Sequence, residues 1–176
     1  MKIARALSGS VIFETPRLRC RRWLLSDLGP LFAVYSDVEG ARWVDDGEPI
    51  THAECEAWLK VTADNYEKRG YGMFALEDRE SSQVVGFCGL VHPGGQEDAE
   101  IKYALLRSHW GRGLASEVVP ALLSYGANHH RIERVIATVA SENIASQRVL
   151  EKAGLILLDS RREEDGSHTL VYHILK

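Results

Sequence analysis

The segment Glu100-Ile-Lys-Tyr-Ala-Leu-Leu-Arg-Ser-His-Trp-Gly-Arg-Gly-Leu-Ala-Ser-Glu117 constrains this chain more than any other. A strand-like run, 100–106, ends in a short turn. Two glycines, Gly111 and Gly113, then open a helical pattern in which Leu114, Val118, Ala121, Leu122 and Tyr125 share a face. A helix N-terminus leaves backbone N–H groups unpaired and carries about half a positive charge. Glycine adds no Cβ, so a phosphate can come close to those amides. Residues 112–116 therefore read as an anion cradle made of backbone. A purely structural turn produces the same glycine pair. The string is neither a P-loop nor a dinucleotide fingerprint, since it contains no Gly-x-x-x-x-Gly-Lys-Ser/Thr and no Gly-x-Gly-x-x-Gly.

The pattern on either side supplies the rest of the architecture. Residues 17–23 alternate as a first strand, with Arg17, Arg19, Arg21 and Arg22 read as its solvated side. Ser26-Asp27 caps a short helix carrying Leu28, Leu31, Phe32 and Tyr35. Residues 40–49 are loop-like around Trp43. Thr51 and Glu54 form a capping box for a helix that ends at Gly70. Strands follow at 71–77, 84–91 and 100–106, the first two joined as a hairpin. The helix opened by Gly113 runs to about His129 and should kink at Pro120. A strand at 134–139, a helix at 143–153 and strands at 155–158 and 169–175 complete the order. This predicts one α/β (α+β) domain over 1–176, with 1–13 as a flexible or extra N-terminal segment. Its sheet is mixed, mostly antiparallel and twisted, with about seven strands and about four flanking helices.

Composition narrows the function classes. The formal charge of −4 offers no basic footprint for a nucleic acid. No apolar run reaches the ~18 residues of a membrane span. Cys20, Cys55 and Cys88 are odd in number and widely spaced, which argues against a disulfide framework or a zinc site and fits a cytoplasmic protein. The histidines do not cluster at metal-ligand spacing, so no metal is expected.

Four segments resemble one family. Trp110, Gly113 and Ala115 fit the Gln/Arg-x-x-Gly-x-Gly/Ala coenzyme A motif of the GNAT acetyltransferases. Trp110 in the first place, with Glu117 following, is similar to the Rim-type (RimJ/RimL-like) subgroup. Glu14-Thr-Pro-Arg-Leu-Arg19 resembles that subgroup's opening strand, and Arg131-Ile-Glu-Arg-Val135 its approach to a later strand. Asn143-Ile-Ala-Ser-Gln-Arg-Val-Leu-Glu-Lys-Ala-Gly-Leu155 resembles the second GNAT motif. The chain departs at Lys102-Tyr103 where the subgroup has Gly-Tyr, near Arg107 where it has proline, and at Leu155 where it has Phe.

The resemblance implies a GNAT fold with a splayed strand pair. Acetyl-CoA would be the cosubstrate and a primary amine the acceptor, in a monomer or homodimer. The acceptor would be a protein N-terminus or a small amino compound. A polyamine, amino acid or antibiotic acetyltransferase, or a non-catalytic acyl-CoA-binding regulator, shares the same scaffold. The cofactor arm would bond the backbone of Ala104, Leu105 and Leu106 as an added strand. Its pyrophosphate would sit at Trp110, Gly111, Arg112, Gly113, Leu114, Ala115 and Ser116, with Asn143 and Ser146 beside the thioester. Glu100 becomes the candidate base. Ser146 becomes the candidate acid, because the family's usual tyrosine is replaced by Leu150. Trp43, Asp45 and Asp46 would cover the acceptor cleft. Alternation turns Tyr103 away from Glu100, and Tyr103 reads as core.

Overall fold

A computed structural model describes residues 6–44 and 47–175. Eight strands form one sheet in the order β1-β2-β3-β4-β5-β6-β8-β7. These are β1 Val11–Glu14, β2 Leu18–Arg21, β3 Met73–Asp78, β4 Val84–Val91, β5 Ala99–Leu105, β6 Arg134–Ala140, β7 Ile156–Arg162 and β8 His168–Leu175. The helices among the described residues are α1 Leu28–Ser36, α2 Val38–Ala41, α3 His52–Arg69, α4 Leu114–His130 and α5 Ile144–Lys152. The fold class is the expected one, with one more strand and one more helix than the sequence predicts. The additional strand is β1, which takes in Val11–Glu14 and pairs with β2. Part of the N-terminal segment read as flexible or extra is thus the edge of the sheet. The additional helix is the single turn α2.

Local chemistry explains the boundaries. Thr51 accepts from the Glu54 amide at 3.3 Å while Glu54 takes the Thr51 amide at 2.6 Å, the reciprocal box that starts α3. Gly70 ends α3 in the left-handed region. The cap assigned to Asp27 does not form. A short 3-10 turn precedes α1, and the Asp27 carboxylate instead receives Arg21 Nη1 at 2.7 Å and the Leu24 amide at 2.8 Å. Arg21 is correspondingly buried, and its Nε donates to Glu77 at 2.7 Å. A strand-edge arginine read as solvated is thus an internal ion-pair hub. Helix α4 continues as one element through Pro120, which is exposed.

The sheet lies between two helical layers. Phe87 meets Tyr35 of α1 and Trp58 of α3, at ring-centroid distances of 5.2 and 5.7 Å. Phe74 lies one residue out of phase with Phe87 in the β3–β4 register, hence on the opposite face. There it meets Tyr125 of α4 at 5.8 Å. All neighbouring strands are antiparallel except β5 and β6, which α4 connects as a parallel pair. Their pairing covers only Ala99↔Val135 and Glu100↔Ile136. Beyond that point the strands part, and the sheet carries a seam at its centre.

Candidate active site

The seam gives β5 two unlike edges. Toward β4 its register is continuous from Glu100 to Leu105, and Leu106 donates its N–H to the Val85 carbonyl at 2.8 Å. In an antiparallel ladder, alternate residues turn their backbone groups to alternate sides. Ala104 and Leu106 therefore spend theirs on β4, while Tyr103 and Leu105 turn theirs into the seam. The Leu105 carbonyl takes the Trp110 indole N–H at 2.8 Å. Trp110 thus ties the end of β5 to the turn that leads into α4.

The α4 N-terminus begins at Gly113, which adopts φ 76°, ψ 10° and provides no side-chain cap. Its first internal bond runs from the Glu117 amide to the Gly113 carbonyl. The amides of 113–116 are thereby left without a helical acceptor. A Cβ on Gly111 would meet nothing within 4 Å, and one on Gly113 only Arg17 Nη2 at 3.7 Å. The space above these amides is open to a ligand.

A strap from the opening strand holds this turn. Glu117 accepts from the Thr15 hydroxyl at 2.5 Å, the Arg17 amide at 2.8 Å and Arg17 Nε at 2.7 Å. Burial pushes the Glu117 carboxyl up, but these hydrogen bonds outweigh it and hold the group below the ordinary range. Arg17 Nη1 donates to the Arg112 carbonyl at 2.7 Å. Because a trans peptide sets C=O and N–H in opposite directions, fixing that carbonyl turns the Gly113 N–H away from Arg17.

Two cavities, of about 590 and 180 Å³, follow the seam. The larger runs from Gly111 and Gly113 past Ala104 and Leu105 to Asn143 and Ala145 of α5. The smaller lies among Lys102, Thr138, Thr169 and Leu150. Trp43, Val44, Tyr103, Asn143 and Ser146 line both. Asn143 caps α5, its Oδ1 accepting from the Ser146 amide at 3.1 Å, which fixes Ser146 on the first turn. Ser146 Oγ lies 2.6 Å from the Tyr103 hydroxyl.

The predicted site residues separate accordingly. Trp110, Gly111, Gly113, Leu114, Ala115, Ser116, Ala104, Leu105, Asn143, Ser146 and Trp43 all border the larger cavity. Arg112 reaches the strap through its carbonyl, and Leu106 faces β4. Asp45 and Asp46 lie outside the described residues. Glu100 lines neither of these cavities. It is 5% exposed, and its Oε1 accepts from Thr138 Oγ1 at 2.6 Å and pairs with Lys102 Nζ at 3.4 Å. Tyr103 does point away from Glu100 and packs against the core as read, but with β6 parted from β5 it also borders both cavities, which the sequence reading missed. Sequence reasoning also missed Arg17 as the strap. The spacing from Thr15 and Arg17 to Glu117 joins segments that only the fold brings together. Among the described residues no group of His, Cys, Asp and Glu is placed to hold a metal ion, and no helix is long and apolar enough to cross a membrane.

Residues 17–156 match the acetyltransferase (GNAT) domain family. The chain is similar to the uncharacterized N-acetyltransferase YoaA of Bacillus subtilis (strain 168), 34% identical over 148 residues that cover 81% of each protein. Its fold is similar to that of a GNAT-family acetyltransferase from Bacillus anthracis, with TM-score 0.78, 23% identity, and 92% of this chain and 96% of that one covered. It is also similar to RimL, a ribosomal L7/L12 alpha-N-protein acetyltransferase in complex with coenzyme A, with TM-score 0.79, 18% identity, and 94% and 98% covered. The family's span takes in the strap, the cradle, the seam and α5, and the chain belongs to the GNAT superfamily of acetyl-CoA-dependent N-acetyltransferases.

Proposed function

We propose that this enzyme moves the acetyl group of acetyl-CoA onto an α-amino group, at a protein N-terminus or on a small amino compound. The observation that carries the reading is the seam, whose free β5 edge leads directly into the uncapped α4 N-terminus. Coenzyme A suits both parts. Its pantetheine arm is a chain of amides that can add to a strand edge at Tyr103 and Leu105. Its pyrophosphate suits the open amides of 113–116. The cosubstrate supplies an activated acyl group, and the protein's own residues orient and exclude. Trp43 and Val44 close over the junction of the cavities. Ser146, held by Asn143, stands at that junction and supplies a proton to the leaving sulfur. Glu100, clasped by Thr138 and Lys102, orders the acceptor side and is not itself the base.

Amine basicity supports the choice of acceptor. An α-amino group has a pKa near 7.7–8.0 and a lysine side chain near 10.4, so at neutral pH lysine holds roughly 300-fold less neutral amine. A buried, already engaged carboxylate is poorly placed to make up that deficit, which amounts to about 3.4 kcal/mol. The Rim-type resemblance of Trp110 and of the Glu14–Arg19 segment points the same way, as does the fold shared with RimL, a ribosomal L7/L12 alpha-N-protein acetyltransferase. Mass spectrometry of peptides carrying either a free N-terminus or a blocked one with an internal lysine tests this. Faster acetylation of the internal lysine overturns it.

A further inference from the structure

We propose that Tyr103 and Ser146 form a two-hydroxyl relay that carries the proton lost by the attacking amine to the sulfur that leaves. This rests on the acetyl-transfer reading and gives Tyr103 a chemical part in it. Two observations support the relay. First, the Tyr103 hydroxyl and Ser146 Oγ are 2.6 Å apart, a full hydrogen bond between two groups that both donate and accept. Second, both side chains line both cavities, so the pair stands where a thioester in one meets an amine in the other.

The chemistry needs such a group. As the amine nitrogen bonds to the carbonyl carbon and the carbon–sulfur bond breaks, nitrogen must lose one proton and sulfur must gain one. Tyr103 oxygen takes the proton from nitrogen and passes its own to Ser146, whose proton goes to sulfur. Each hydroxyl ends as it began, and no proton is exchanged with solvent. Glu100 is placed differently, on the opposite sheet face and closed in by Thr138 and Lys102. Leu150, where the family has its tyrosine acid, is buried. Burial pushes the Tyr103 phenol up to about 12, against the pull of its bond to Ser146, so it keeps its proton throughout the working range.

The test combines kinetics with binding. Tyr103→Phe and Ser146→Ala should each lower kcat by about 100-fold, the lower end for loss of a proton-transfer group. Calorimetric affinity for coenzyme A at pH 7 should stay within about threefold in both. The double variant should be no slower than the slower single one, because the hydroxyls act as a unit. Ser146→Thr, which keeps a hydroxyl, should recover most of the rate. A separate readout needs no turnover. Donation from the pair favours the thiolate of bound coenzyme A, whose thiol titrates near 8.5 by analogy with cysteine. Affinity for coenzyme A relative to its desulfo analogue should therefore rise between pH 7 and 9.5 in the wild type and stay flat in both variants. A Tyr103→Phe enzyme within threefold of wild-type kcat, multiplicative losses in the double variant, or the same affinity rise in all three proteins overturns the relay and leaves the acetyl-transfer reading standing. A wild-type protein that binds coenzyme A but acetylates no amine overturns both.

Discussion

Two pairs of glycines border β5 and serve opposite ends. Beside its closed edge, on β4, a Cβ at Gly86 would collide with the Ala104 carbonyl oxygen of β5, and one at Gly89 with the Gly72 carbonyl oxygen just before β3. At its open end, Gly111 has nothing within 4 Å and Gly113 only an arginine tip. The first pair lets strands come together as the chain folds. The second keeps room for a partner the chain does not supply. The same missing methyl group is thus filled by protein in one place and left as open space in the other.

The largest effect expected from breaking this contrast is on stability. In Gly89→Ala the new methyl meets backbone, the Gly72 oxygen and Met73 Cα at 2.6 Å, which cannot swing aside as a side-chain tip can. Overpacking of this kind costs about 3 kcal/mol, and a melting temperature lower by roughly 10 °C should follow. A Gly89→Ala protein with unchanged melting would erase the distinction. Gly113→Val should do the reverse. The left-handed backbone conformation costs a non-glycine residue about 1–2 kcal/mol, so the protein remains folded while coenzyme A binding is abolished. Unchanged calorimetric affinity in a folded Gly113→Val protein would remove the amide cradle from the mechanism.

The strap sharpens the comparison, since it holds the open glycines where packing holds the closed ones. Glu117→Gln weakens three hydrogen bonds, one of them to a guanidinium. It should weaken coenzyme A binding by about tenfold, equivalent to about 1.4 kcal/mol. The strap also titrates. The folded-state pKa of Glu117 lies below its unfolded value, near 4.3 for a free glutamate, so its stabilisation is complete above that pH and is lost as pH falls through the folded value. Between pH 5 and 3 the wild-type melting temperature should fall further than that of Glu117→Gln. Parallel curves would show that the strap carries no stability of its own.

How far the sequence could be read follows from where each cause lies. The Thr51–Glu54 box, the stop at Gly70 and the uncapped helix start at Gly113 depend on residues adjacent in the chain, and each is legible there. Strand β4 reads correctly at both ends because eight consecutive residues of β-forming or small type are bounded by turns. The failures depend on partners far away. Asp27 looks like a helix cap until Arg21, which also donates to Glu77, claims its carboxylate. Arg17 is exposed as read, but nothing nearby in the chain announces its bond to Glu117, 100 residues on. Alternation puts Tyr103 on the correct face but cannot reveal that β6 departs after Glu100 and leaves that face open. Strand β1, four residues long and paired with β2 alone, has too little pattern to announce itself.

The smallest effect expected is at Arg112, and it asks whether backbone or side chain holds the anion. Arg112 is exposed, and the part of it that the strap uses is its carbonyl, which accepts from Arg17 at 2.7 Å whatever the side chain. Arg112→Ala leaves every amide of 113–116 in place. An exposed charge facing a solvated phosphate contributes about 0.2–1 kcal/mol and is screened over about 8 Å at physiological ionic strength. Coenzyme A affinity should therefore drop no more than about fivefold, the equivalent of that upper limit. Salt distinguishes the two sources further. Backbone amides bring no mobile charge, so affinity should fall with rising salt along nearly parallel lines in wild type and Arg112→Ala. A loss of more than tenfold at physiological salt that fades at high salt would move the anion from the amides to the guanidinium. The open glycines would then serve only to let that arginine turn.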